Sequence, residues 1–313
     1  MYFKLFIIFI IIFSRSVFSQ TSDELKQQLE ESIQQKYQAS ASGLVEYAVY
    51  KKAYLKWLEY KRTGVEVAMI IDGPVTNNPL RDESVFIIVD FTKIRTEERI
   101  FLFDVSNNPR LLKSTFVTHG KKSGVDFARY FSNVNTTNKS SKDFYATSHT
   151  YPSQIVGFAL KLHGQDSGIN DRIYSRGIVF HKTYTENGAT LSAGCLAVPF
   201  TVYRDWIANI KGQTMIYVHT SESGNNAEIS DEDAEFSRNL VDSPARMSNV
   251  PADQYSPSFD SIKSFQDIGD SPSMGSLTGN NGVDLLGESG IPFGLASGSE
   301  SRDSQLPPEE EDI

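Results

Sequence analysis

The sequence has one cysteine in 313 residues, Cys195. An intramolecular disulfide is therefore excluded, and the fold has to stand on its apolar core rather than on covalent cross-links. A lone thiol is either a small buried hydrophobe or a residue kept for its chemistry, and composition alone leaves both readings open. No apolar stretch after residue 19 is long enough to cross a bilayer. Histidine is scarce, at five residues, and no set of His, Cys, Asp and Glu has the short paired spacing of a metal site. Neither a metal nor a cofactor is expected. A strong basic excess is also missing. Residues 221–313 hold 4 Lys and Arg against 19 Asp and Glu, so the net charge of −9 belongs to the tail and the rest is only mildly basic. A balance that slight gives no ground for binding nucleic acid.

The first 19 residues carry Lys4 and then the apolar run Leu5 to Phe13, with Val17 and Ser19 at positions −3 and −1 of a cut before Gln20. This reads as a signal peptide, and it places the mature chain in the periplasm or cell envelope. The run falls short of the roughly 20 residues a membrane span needs. Thr21-Ser22-Asp23-Glu24 has the form of a capping box, followed by Leu25, Leu29, Ile33 and Tyr37 at helical spacing. It predicts a helix over 22–38 within an N-terminal segment 20–43. A second helix is expected over 44–62, with Leu44, Ala48, Leu55 and Leu58 on one side and Tyr47, Tyr50, Tyr54 and Trp57 broadening the face.

From residue 84 the period becomes that of strands: 85–91, 99–105, 114–118, 156–162, 177–182 and 214–219, with one short helix at 200–210. The pattern predicts a mostly β domain over 44–220, of sandwich or open-barrel type, with the N-terminal helices packed against it. Residues 221–313 are acidic and rich in Gly, Ser and Pro, with Asp231-Glu232-Asp233 and Pro307-Pro308-Glu309-Glu310-Glu311-Asp312 as examples. They are expected to lack fixed structure, and any partner of this tail is unknown.

The chemistry concentrates in Arg176-Gly177-Ile178-Val179-Phe180-His181 and Ser192-Ala193-Gly194-Cys195-Leu196-Ala197. His181 ends an apolar strand, and Cys195 follows a glycine that permits a tight turn. Such a pair can form a thiolate–imidazolium nucleophile, with the amides beside Gly194 converging on an oxyanion. A buried Cys near a turn and a His capping a strand fit the same spacing.

In order and spacing, the span from Val45 to Thr220 resembles the murein L,D-transpeptidase catalytic-domain family, the YkuD-like fold. The segments that carry the resemblance are Ile88-Val89-Asp90-Phe91, Arg99 to Asp104, Val117-Thr118-His119-Gly120, Ser123-Gly124, Phe131-Ser132-Asn133, Ser140-Ser141, Phe144-Tyr145, Gly157 to Leu160, Gly164, Asn170-Asp171, Arg176 to His181 and Ser192 to Cys195. The resemblance implies a mostly β catalytic domain that acts on the tetrapeptide stems of peptidoglycan. In it Cys195 is the nucleophile, His181 the base, Gly194 and Cys195 oxyanion amides, and Ser192 part of the same loop. It also implies acylation by carbapenems. His119, Ser132, Asn133, Arg176 and Ala193 are the candidate substrate-binding residues. For Arg176, pairing with Asp171 is the favoured structural role. Two alternatives stay open: an L,D-carboxypeptidase that trims the terminal D-alanine, and an inactive peptidoglycan-binding module. The sequence departs from the family pattern at Ala193, at Leu196-Ala197, at Lys182 and at Lys142-Asp143, positions that bear on pocket shape and choice of acceptor.

Overall fold

In a computed structural model of the chain, residues 21–81, 84–188, 190–224 and 226–242 are described. The segment 1–19 read as a signal peptide and the tail beyond residue 242 lie outside them.

Helix α1 (Ser22–Ser40) begins as its sequence directs. Thr21 Oγ1 accepts the Glu24 N–H at 3.3 Å, and the Glu24 carboxylate accepts the Thr21 N–H at 2.9 Å. Helix α2 (Tyr47–Thr63) ends at Gly64, whose φ is +82° and where a Cβ would lie 2.7 Å from the Asn78 carbonyl oxygen. Only glycine makes that turn into β1 (Val65–Ala68), which pairs with β2 (Val75–Asn78) in an antiparallel hairpin. The chain continues through β3 (Val85–Asp90), β4 (Ile100–Asp104), β5 (Arg110–Thr115), β6 (Asp143–Ser153), β7 (Gly157–Gly164), β8 (Val179–Thr183), β9 (Leu196–Pro199), α3 (Phe200–Ile210), β10 (Met215–His219) and α4 (Asp231–Asp242).

Strands β3 to β10 form one sheet in the order β5-β4-β3-β10-β6-β7-β8-β9. β10 runs parallel to β3 and β9 parallel to β8, and the other pairs are antiparallel. The domain is mostly β with few helices, as its periodicity predicts. β3, β4 and β10 are buried along their whole length, which explains why they read as continuous apolar runs rather than alternating ones. Phe86, Ile88, Phe103 and Tyr217 pack on Tyr50, Trp57 and Leu58 of α2, with Leu29 and Ile33 of α1 beside them. On the opposite face Ile87, Leu102, Leu160, Phe180 and Leu196 pack with Trp206, Ile207 and Ile210 of α3. Each such side chain contributes about 1.5–3 kcal/mol by leaving water.

After β5 the chain returns to the far end of the sheet. The Thr118 N–H donates to the Ala197 carbonyl oxygen at 2.9 Å, the Ser192 N–H to His119 O at 2.9 Å and the Lys121 N–H to Ser192 O at 2.8 Å. Thr118 thus lies beside β9 and residues 119–121 beside Ser192 just ahead of it, which ties the segment after β5 to the far edge of the sheet in an open-barrel arrangement.

The structure departs from the sequence pattern in two places of consequence. Strand β6 is polar in composition and reads as no strand, yet Thr147 and Ser148 are buried in it. Thr147 Oγ1 donates to Ile210 O at 2.6 Å and Ser148 Oγ to Ala68 O, so their burial leaves neither hydroxyl unpaired. The second departure is α4, which falls where the tail was expected to lack fixed structure. Ser230 Oγ accepts the Asp233 N–H at 3.0 Å, and Asp231, Glu232 and Asp233 occupy the first turn, where the helix dipole favours acid. Asp231 pairs with Lys26 at 2.8 Å, and Glu232 and Asp233 both pair with Arg62. Ala234 is buried, and Ala227, Ile229 and Phe236 pack on the helical core. The body therefore extends to residue 242, past the expected boundary at 220. Among the described residues no helix is long and apolar enough to cross a membrane.

Candidate active site

His181 and the turn that carries Cys195 are brought together by the parallel pairing of β8 with β9, in which Phe180 stands opposite Leu196 and His181 opposite Ala197. Phe180 and Leu196 both face the core, so alternation puts His181 on the other face of the sheet. On β7, Leu160 pairs with Phe180, and the same antiparallel register sets Ala159 beside His181. The ring is half-buried, with Nδ1 2.7 Å from the Lys182 carbonyl oxygen. A carbonyl oxygen only accepts, so Nδ1 carries the proton and Nε2 presents the lone pair. Burial lowers the imidazole pKa, with the Lys182 carbonyl opposing, and the ring is neutral near pH 7.

The nucleophile turn is built from side-chain to backbone bonds. Ser192 Oγ accepts the Gly194 N–H at 3.0 Å and donates to the Cys195 carbonyl oxygen at 2.8 Å. Thr118 Oγ1 donates to that same oxygen at 3.2 Å, fixing the cysteine backbone from two sides. Gly194 has φ +122°, and a Cβ there would lie 2.7 Å from Lys139 O and 2.9 Å from Ile178 Cδ1. The buried Ser140 hydroxyl donates to Gly194 O at 3.3 Å and accepts the Gly120 N–H at 3.0 Å.

The Cys195 thiol is half-buried and donates to the Gly177 carbonyl oxygen at 3.8 Å, with the Val179 N–H also directed at the sulfur. Those two groups flank Ile178 and face the same side of the chain. The sulfur thus stands where a backbone partner would stand beside β8, and its hydrogen bond goes to Gly177 and not to His181. Burial raises the thiol pKa, while the Val179 amide and the Arg176 charge pull it down. Both shifts favour the neutral thiol and imidazole over the charged forms.

The remaining candidates mostly support this turn from behind. The Gly194 N–H is already taken by Ser192, which removes it as an oxyanion donor. His119 does not face a substrate: it is fully buried, its Nδ1 lies 2.8 Å from an Arg99 nitrogen and its Nε2 3.1 Å from Gly124 O. Burial pushes its pKa down to about 4. Ser132 Oγ accepts the Val134 N–H at 3.0 Å, and Asn133 donates to Asp171 at 2.5 Å while accepting the Arg172 N–H at 3.1 Å. Both tie loops together. Arg176 is not paired with Asp171. Its guanidinium donates to Ser132 O, to Ser141 Oγ at 2.6 Å and to Lys139 O at 2.7 Å, holding the 132–141 loop against the nucleophile turn. Ala193 alone of this group is exposed, at the tip of the turn.

Sequence reasoning missed Arg99, Thr118 and Ser140 as parts of the site. Arg99 is fully buried over the Phe91 ring and donates to Val117 O at 2.8 Å and Lys93 O at 3.2 Å. Burial pushes its pKa down to about 9. An arginine at the start of an apolar strand was the available signal, because a charge in that position has to be buried with partners. No group of three or more potential metal ligands occurs among the described residues.

A family model described as the L,D-transpeptidase catalytic domain matches residues 48–219. No curated protein matches the chain significantly by sequence. Among solved structures, an L,D-transpeptidase from Mycobacterium smegmatis is similar at 9% identity, over 47% of this chain and 62% of that one, with a TM-score of 0.30. The helical cell shape determining protein of Campylobacter jejuni is similar at 12% identity, over 63% and 64%, with a TM-score of 0.35. An L,D-transpeptidase solved in complex with imipenem is similar at 9% identity, over 44% and 59%, with a TM-score of 0.28. The chain spans less than two thirds of the length of each of these three.

Proposed function

The chain belongs to the L,D-transpeptidase catalytic-domain family, and on that premise we propose that it is a cysteine acyltransferase acting on peptidoglycan tetrapeptide stems in the cell envelope. The thiol turns about its Cα–Cβ bond from Gly177 toward His181, whose Nε2 takes the proton as the sulfur attacks the carbonyl that precedes the terminal D-alanine. The tetrahedral intermediate collapses to a Cys195 thioester. The imidazolium returns its proton to the departing D-alanine amine. An amine from a second stem then attacks the thioester, forming a cross-link and releasing the thiol. Water in that place gives the carboxypeptidase outcome from the same acyl-enzyme. The Cys195 N–H is the oxyanion donor in this scheme, since the Gly194 N–H is engaged by Ser192.

The observation that carries the reading is the parallel pairing of β8, which holds His181, with β9, which opens directly after Cys195, with the His181 Nδ1 proton fixed by Lys182 and Nε2 left to act as base. The test is to incubate the purified protein with a tetrapeptide stem and follow D-alanine release and stem joining. Turnover is expected, and Cys195→Ala is expected to abolish it. A carbapenem should add one adduct mass to the intact protein and none to Cys195→Ala. Absence of both adduct and turnover under reducing conditions overturns the enzyme reading in favour of a wall-binding module.

A further inference from the structure

Arg176 holds the 132–141 loop, a task for which hydrogen bonds suffice and its charge is not needed. The guanidinium is half-buried, and each of its bonds goes to a neutral acceptor: Ser132 O, Ser141 Oγ and Lys139 O. Its Nε is buried without an acceptor. Among the described residues no carboxylate forms an ion pair with Arg176, and Asp171, the nearest acid in sequence, is bonded to Asn133. A charge withdrawn from water is ordinarily paired, so this one stands ready for an anion.

Two routes bring the nucleophile near that charge. The Lys139 carbonyl oxygen that accepts from the guanidinium at 2.7 Å would also lie 2.7 Å from a Cβ on Gly194. A single oxygen therefore touches both the arginine and the residue before Cys195. Along the chain, Arg176 precedes Gly177, whose carbonyl oxygen accepts the Cys195 thiol at 3.8 Å. The ionisable groups whose charge reaches the guanidinium are Tyr145 of β6 and Cys195. Tyr145 is fully buried, and burial pushes its phenol far above the usual range, so it stays neutral. Lys139 turns its Nζ over the Tyr130 ring, 5.6 Å from the centroid. The ionisation of His181 on β8 answers to burial and to the Lys182 carbonyl, not to Arg176. Of the two groups the guanidinium acts on, only Cys195 becomes an anion in the course of the reaction.

We propose that the Arg176 guanidinium is the counter-charge of the Cys195 thiolate, an assignment that rests on the reading of Cys195 as nucleophile. Arg176 is then a positioning residue, acting on the sulfur through space without touching the substrate. At rest three neutral dipoles hold the guanidinium and the thiol keeps its proton. When His181 Nε2 takes that proton, the sulfur becomes negative near a cation already in place, and no side chain has to reorient. Because the charge acts on the sulfur and not on the imidazole, it favours loss of the proton without making the base harder to protonate.

The thiolate is followed by its ultraviolet absorbance as pH is raised, with iodoacetamide alkylation as a second measure. Arg176→Gln removes the charge and should move the midpoint of thiolate formation up by about one pH unit, at the low end of the roughly 1–3 units of a cation in close contact. Alkylation at a fixed pH below both midpoints should slow several-fold, the loss of thiolate being partly offset by the greater nucleophilicity of a more basic sulfur. Arg176→Met is a second neutral variant, which keeps the apolar stem and should shift the midpoint alike if Arg176→Gln does not fold. Arg176→Lys loses the fork of hydrogen bonds and keeps the charge, so it should restore most of the midpoint while unfolding in urea as readily as the neutral variants. Ser141→Ala takes one acceptor from the guanidinium and should leave the midpoint in place. For the tetrapeptide, Arg176→Gln should lower kcat with little change in KM. A midpoint unchanged in a folded neutral variant, or displaced as far by Arg176→Lys or Ser141→Ala, overturns the assignment and leaves Arg176 a clamp on the loop. A midpoint that depends on the charge at position 176, in a protein without turnover or carbapenem adduct, overturns the transpeptidase reading and leaves the ion pair standing. Turnover that requires Cys195, with a midpoint insensitive to that charge, does the reverse.

Discussion

At the scale of the residue, Cys195 and His181 are displaced from their ordinary ionisation in opposite directions, and both displacements stabilise the uncharged pair. Thiol alkylation by neutral iodoacetamide should therefore keep rising with pH beyond the range in which an ordinary cysteine reaches its plateau. A preformed ion pair would instead show a plateau already near neutrality, and that result would refute the neutral-pair description. The depressed His181 pKa keeps the ring basic in weak acid, so the acid limb of kcat/KM should fall below the pH of about 6.5 expected for free histidine. The Val179 amide gives an independent check. It faces the sulfur at rest, so acylation, which draws the sulfur away, should speed its hydrogen exchange relative to the neighbouring amides of β8.

At the scale of the element, the nucleophile turn depends on a few small polar side chains. Ser192→Ala removes both an acceptor for the Gly194 N–H and a donor to the Cys195 carbonyl. It should cost about 1–2 kcal/mol of stability and lower kcat more than it raises KM, measured by urea unfolding and steady-state kinetics. Continuous apolar runs made β3, β4 and β10 readable from sequence, because both of their faces are buried, and apolar periodicity did the same for β7, β8, α1 and α3. The motif around His181 and Cys195 was legible through the family resemblance of its flanking segments, because its spacing alone fits a buried cysteine and a strand-capping histidine equally well. Strand β6 was hidden because hydroxyls do the work of apolar residues in it, each satisfied by a backbone carbonyl from a distant segment. Helix α4 was hidden because three acidic residues resemble a solvated run. They in fact complement the helix amides and two basic partners, Lys26 and Arg62. His119, Asn133 and Arg176 were visible as polar residues near the motif. Which way each side chain turns is fixed by contacts across the barrel, such as Arg99 with His119, that no local pattern records.

At the scale of the whole molecule, two buried histidines couple stability to pH. His119 and His163 have folded pKa values of about 4, below the value of about 6.5 for the unfolded chain. The unfolded state binds more protons between those limits, so stability is fully present above pH 6.5 and falls as pH drops toward 4. The loss should be about 2 kcal/mol per histidine by pH 5, read as a lower urea midpoint than at pH 7.5; equal midpoints would contradict it. The helical layer makes a second whole-molecule contribution. Truncation after Gly224 uncovers the surface that Ala227, Ile229, Ala234 and Phe236 cover. It should therefore unfold more easily than truncation after Asp242, by about 2–4 kcal/mol.

Thr118 takes the outer edge of β9 at Ala197 and residues 119–121 pair with Ser192 ahead of it, so the backbone on either side of the nucleophile is already bonded there. Proteins that read extended peptides often do so by adding them as an extra strand, which gives affinity through the main chain and is largely indifferent to its ends. That mode of recognition is closed at this point of the barrel. A peptide bound at this point is therefore expected to be read through its termini and side groups rather than through an added main-chain ladder.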